Sequence, residues 1–116
     1  MSERQQNLDI RTSREPDATI VKISGEVDLR TSPQLRDVFL ELLETKPQRV
    51  ILDLTGVGYV DSSGVGTIVE LKRRAMQDNG TVILVGLQAR VRSLFEITRL
   101  DKFFTITATV DEARQA

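Results

Sequence analysis

The sequence predicts an α/β sandwich in which an N-terminal β-hairpin leads into a mostly parallel mixed sheet of about five strands with about four helices. Three observations carry this reading. Two nearly continuous apolar runs, Val50-Ile51-Leu52-Asp53-Leu54 and Val82-Ile83-Leu84-Val85, have the pattern of strands covered on both faces. Segments of helical periodicity lie between and after them. The start of the chain alternates apolar and polar residues, as a hairpin does.

Leu8, Ile10 and Thr12 alternate with polar neighbours, as do Thr19, Val21 and Ile23, and Glu15-Pro16-Asp17 supplies the turn between them. Thr31-Ser32-Pro33 then offers an N-cap hydroxyl followed by proline at the first helical position. Leu35, Val38, Phe39, Leu42 and Leu43 recur at helical spacing until Pro47 forbids continuation. Residues 50–54 are expected as a central parallel strand. A second helix is expected from Ser62 or Ser63 to about Asp78, with Val65, Ile68, Val69, Ala75 and Met76 facing inward and Glu70, Arg73, Arg74 and Gln77 outward. Asn79-Gly80 stops it. After the strand at 82–85, a third helix over 89–98 presents Val91, Leu94, Phe95 and Ile97. Phe104, Ile106 and Ala108 alternate with threonines as a last strand, and residues 110–114 suit a terminal helical turn. No internal repeat or linker interrupts the chain, so residues 1–116 are expected to form a single domain.

Composition removes whole classes of function. Sixteen Lys and Arg against 17 Asp and Glu leave a net charge of -1, without the basic excess that a nucleic acid or an anionic membrane requires of its partner. The chain has no Cys and no His, which excludes a disulfide framework, a cysteine nucleophile, a Ser-His-Asp triad and the usual zinc sites. No metal or cofactor is therefore expected. Residues 1–7 are polar and lack the apolar core of a secretory signal, and no apolar run approaches the roughly 20 residues that span a bilayer, which points to a cytoplasmic protein.

The stretch from Gly56 to Gly66 places glycines, an aspartate and two serines where a strand hands over to a helix. Asp61 stands where a dinucleotide fingerprint begun by Gly56 and Gly58 would need its third glycine, and there is no Walker sequence. Asp61, Ser62 and Ser63 read first as helix caps, but one cap requires one residue. An exposed serine at a helix N-terminus also suits phosphorylation, because the helix dipole favours an anion there by roughly 0.3–1 kcal/mol. Lacking a nucleotide loop, the chain would take its phosphate from a separate kinase.

Asp61-Ser62-Ser63-Gly64-Val65-Gly66, together with Gly25-Glu26-Val27-Asp28 and Leu94-Phe95-Glu96-Ile97-Thr98, resembles the STAS domain family, and within it the bacterial anti-sigma factor antagonists. The similarity runs from about Leu8 to Asp111. The resemblance implies that Ser62 is phosphorylated by an anti-sigma factor with serine-kinase activity, and that a phosphatase acts on phospho-Ser62. It further implies a partner-binding surface formed by Gly25, Glu26, Asp28, Asp61, Ser62, Ser63 and Gly64. The chain departs from the family at Arg99, where glycine is usual after Ile-Thr. If that residue closes the third helix in the left-handed conformation, the side chain costs roughly 1–2 kcal/mol.

Two rival readings carry other expectations. A receiver-type domain would phosphorylate itself on Asp53, near the end of a buried strand, with Glu26 and Asp28 holding magnesium. A constitutive scaffold or secretion regulator would keep the fold without acting on a sigma factor. Lys72-Arg73-Arg74 and Arg90 with Arg92 read as solvated helix faces, Tyr59 as an interface anchor, and Phe103 as anchor or core.

Overall fold

The computed structural model describes residues 8–116, so the polar start read for targeting lies outside the described residues. Five strands form one sheet in the order β1-β2-β3-β4-β5: β1 (Asp9–Arg14), β2 (Thr19–Val27), β3 (Arg49–Val60), β4 (Thr81–Val85) and β5 (Thr105–Thr107). β1 pairs antiparallel with β2, and every later pairing is parallel.

Successive strand residues point to opposite faces, and this alternation makes the two layers. Val21, Ile23, Val50, Leu52, Leu54, Val82 and Leu84 belong to the larger core, which is completed by α1 (Ser32–Leu43), α2 (Ser62–Gln77) and α3 (Ala89–Ile97). Ile51, Ile83 and Val85 project the other way, against Ala113 and Val110 of the short α4 (Val110–Gln115). The apolar runs are therefore covered on both faces, as their composition required. Arg114 of α4 pairs with Glu15 and Asp17, fastening the hairpin turn to the C-terminal helix.

Several elements differ from the sequence reading. β3 does not stop at Leu54 but continues to Val60, because β2 also extends and pairs Ser24 with Gly56, Glu26 with Tyr59 and Val27 with Val60. Gly56 permits this, since a Cβ there would collide with the Ser24 hydroxyl. Thr31 precedes α1 without capping it by its side chain, and Pro33 is the second helical residue, not the first. Met76 and Ile97 are 51% and 80% exposed. The helical turn explains both: at about 100° per residue, Met76 rotates out of the stripe of Ile68, Leu71 and Ala75, and Ile97 lies nearly opposite Phe95. Phe104 precedes β5 and is buried edge-to-face against Phe95 with ring centroids 5.8 Å apart, while Ala108 lies beyond the strand and is exposed.

Arg99 does adopt the left-handed conformation, with φ 65° and ψ 14°. It reverses the chain after α3 into a 3-10 turn, Leu100–Lys102, which delivers Phe103 and Phe104 to the core. Lys72 lies over the Phe103 ring at 5.2 Å, so this member of the basic run covers aromatic surface instead of standing free in solvent.

Candidate phosphorylation and partner-docking site

The parallel pair β2 and β3 ends at Val27 and Val60, and the Asp61 N–H donates to the Val27 carbonyl at 3.0 Å. This bond sets the N-terminus of α2 directly beside the loop leaving β2. Close approach also needs Gly64: a Cβ there would lie 2.6 Å from Val27 Cγ1 and 2.8 Å from the Val27 carbonyl oxygen. Gly25, with φ 120°, occupies backbone space that side chains disfavour and lies beside a register shift that brings Glu26 opposite Tyr59.

Asp61, Ser62 and Ser63 divide their work. Asp61 is the cap: its Oδ1 accepts from the Ser63 N–H at 2.9 Å, the Gly64 N–H at 3.1 Å and the Ser63 hydroxyl at 2.6 Å. Its Oδ2 accepts from the Leu29 N–H at 3.1 Å. The Ser63 hydroxyl holds the Asp61 carboxyl below the usual aspartate range as the largest cause, opposed by partial burial and helped by the Gly64, Ser63 and Leu29 N–H groups. Ser63 is further engaged as acceptor from the Ser32 hydroxyl at 3.3 Å. Ser62 is different. It is the first residue of α2, it is exposed, and its hydroxyl makes no hydrogen bond to the described residues.

The loop opposite is equally well satisfied. Asp28 Oδ1 accepts from the Arg30 N–H at 2.9 Å and the Thr31 N–H at 3.2 Å. The Thr31 hydroxyl accepts from the Asp28 N–H at 2.9 Å and donates to the Glu26 carbonyl at 2.7 Å. The fold thus gathers Gly25, Glu26, Asp28, Asp61, Ser62, Ser63 and Gly64 at one end of β2 and β3. Leu29, Thr31 and Ser32 also belong to this network, beyond the residues expected from sequence. The available signal was Leu29, a lone large apolar residue in the polar run Asp28-Leu29-Arg30-Thr31-Ser32.

Asp53 stands elsewhere. Because β3 runs on to Val60, Asp53 is mid-strand and not near a strand end, and its carboxylate accepts from the Thr55 N–H at 3.0 Å and the Thr55 hydroxyl at 2.6 Å. Among the described residues no group of three or more acidic side chains is placed to hold a metal ion, so Glu26 and Asp28 make no magnesium site with it. Tyr59 is partly exposed, and Phe103 is half-buried on the core edge.

Known proteins share this architecture, and one relative matches about a third of the aligned residues. An anti-sigma-B factor antagonist from Staphylococcus epidermidis is 33% identical over 94 residues, covering 81% of this chain and 87% of its own. The crystal structure of an anti-sigma factor antagonist from Mycobacterium paratuberculosis superposes with a TM-score of 0.84 at 24% identity, over 91% of this chain and 90% of that one. The phosphorylated form of the Bacillus cell fate determinant SpoIIAA superposes with a TM-score of 0.72 at 21% identity, over 90% and 96% of the two chains. Residues 9–113, which hold every strand, the gathered loops and the exposed serine, match the STAS domain model, and the chain belongs to the STAS domain family.

Proposed function

We propose that the protein is an anti-sigma factor antagonist of a partner-switching pathway. Unmodified, it captures an anti-sigma factor that is also a serine kinase, and so frees a sigma factor; phosphorylation of Ser62 ends the capture and a phosphatase restores it. In this reading the protein is a single-domain cytoplasmic regulator and a kinase substrate, not an enzyme, and it takes no cofactor. The names of its relatives support the pathway, and the division of labour at the head of α2 supports the residue. Asp61 caps the helix and binds Ser63, which leaves Ser62 exposed and unengaged.

A phosphoryl group at Ser62 meets the positive end of α2, which offsets part of its cost to the fold. The same group adds about -1.5 to -2 charges next to Asp61 and on the surface carrying Asp28 and Glu26. Folding is little disturbed while docking is opposed. The test is to incubate the protein and ATP with each kinase-type anti-sigma factor of its source organism and map the product by mass spectrometry. One phosphate on Ser62, stable to hydroxylamine, is expected; phosphate on Ser63, or a hydroxylamine-labile one on Asp53, overturns the assignment.

A further inference from the structure

Leu29 is 74% exposed, yet the loop that carries it is held through its backbone N–H groups. Every N–H from Asp28 to Ser32 has an acceptor. Asp28 donates to the Thr31 hydroxyl, Leu29 to Asp61 Oδ2, and Arg30 to Asp28 Oδ1. Thr31 and Ser32 both donate to the Asp28 carbonyl. Thr31 and Ser32 are themselves buried. A large aliphatic side chain is therefore held out to water on a rigid loop, where none of the described residues covers it.

Such an arrangement lowers the cost of binding, because the ordering of the loop has already been met in folding. Asp61 links the two halves: one carboxylate oxygen caps the helix that begins with Ser62, and the other holds the loop that carries Leu29. Glu26, Asp28 and Arg30 flank Leu29 in the chain and Asp61 accepts from its N–H; three carboxylates against one guanidinium leave the loop acidic on balance. Met76, the exposed apolar residue at the far end of α2, stands instead in basic surroundings with Arg73.

We infer that Leu29 is the apolar anchor of the docking surface beside Ser62, and that its occupant is an apolar pocket rimmed by Arg or Lys on the anti-sigma factor. This inference rests on the proposed function and adds to it the residue that holds the partner and the chemistry of the pocket that receives it.

The experiment measures calorimetric affinity for the anti-sigma factor that phosphorylates the wild-type protein. Leu29→Ala should weaken capture roughly ten- to hundredfold with an unchanged melting temperature, as expected for an exposed side chain that becomes a buried hot spot. Leu29→Asp should weaken it further, and Met76→Ala, about 20 Å along the helix from Ser62, should leave it unchanged. Equal affinities for wild type and Leu29→Ala would overturn the inference while leaving the proposed function standing. A Leu29→Ala variant that changes oligomeric mass by light scattering and keeps wild-type affinity would assign the anchor to a second copy of this chain, and would overturn it too. Failure of the wild-type protein to bind any kinase-type anti-sigma factor would instead remove the proposed function itself.

Discussion

Arg99→Gly should make the protein more stable, and the gain can be worked from its backbone. Arg99 holds φ 65° and ψ 14°, a conformation in which a side chain costs roughly 1–2 kcal/mol and glycine costs almost nothing sterically. Glycine returns roughly 0.4–1 kcal/mol of that through the greater freedom of its unfolded chain, so the net gain is about 0.5–1 kcal/mol. Nothing else should change. Among the described residues the exposed Arg99 side chain has no hydrogen bond or ion pair, and the bonds from the Arg99 N–H to Glu96 at 3.1 Å and from the Lys102 N–H to the Arg99 carbonyl at 3.2 Å survive. Thermal unfolding should shift upward by about 2–5 °C, with a matching rise in the urea midpoint at unchanged slope. Arg99→Ala keeps the strained conformation and should stay within about 0.5 kcal/mol of wild type. A melting temperature for Arg99→Gly at or below wild type would show that the left-handed backbone at residue 99 stores no such strain, as would an alanine variant that captured the whole gain.

The head of α2 and the hairpin turn yield further tests. Gly64→Ala forces a Cβ against Val27 and Val60 and should cost roughly 1–3 kcal/mol in denaturant unfolding. Gly66→Ala in the same helix meets nothing within 4 Å and should stabilise by roughly 0.5–1 kcal/mol; similar effects at both positions would contradict the packing described. The Arg114 guanidinium, by its hydrogen bonds above all, lowers the Glu15 and Asp17 carboxyls below their usual range. Depressed carboxylates contribute stability that is present above their unfolded values of about 3.9–4.3 and is lost as pH falls through the lower folded ones. Stability curves for wild type and Arg114→Gln should therefore converge in acid, and a constant offset at all pH values would show that Arg114 acts by packing alone.

What the sequence revealed depended on which force set each feature. Patterns governed by burial were legible: the hairpin, the two-sided strands and the helix carrying Leu35, Phe39 and Leu42 are all found where apolar spacing placed them. Arg99 was legible too, because the usual glycine marks a backbone requirement that this chain meets with strain. The extension of β3 was not, since glycines at 56 and 58 weaken a strand signal and the pairing that rescues it comes from β2, far away in the chain. Reading every apolar residue of a helix as buried overstated the stripes at Met76 and Ile97, which the helical turn carries away from Ile68, Leu71 and Ala75 and from Phe95. At the site, family resemblance selected Ser62 over Ser63; the physical distinction is a hydrogen-bond network among Asp61, Ser63, Ser32 and Leu29 that joins two distant loops. The Asp61 cap was legible as a capping pattern, but the bonds from Leu29 to Asp61 and from Ser32 to Ser63 join residues far apart in the chain and leave no mark in local sequence.

In the proposed switch, charge at Ser62 ends docking without unfolding the domain. Calorimetric binding of the kinase-type anti-sigma factor to wild type, Ser62→Ala and the stoichiometrically phosphorylated protein tests it most directly, with melting temperatures recorded alongside. Phosphorylation should weaken capture about a hundredfold or more, corresponding to roughly 3 kcal/mol, while Ser62→Ala binds as wild type and all three melt within a few degrees of one another. Equal affinities for the phosphorylated and unmodified proteins would contradict the account and leave the domain a constitutive scaffold.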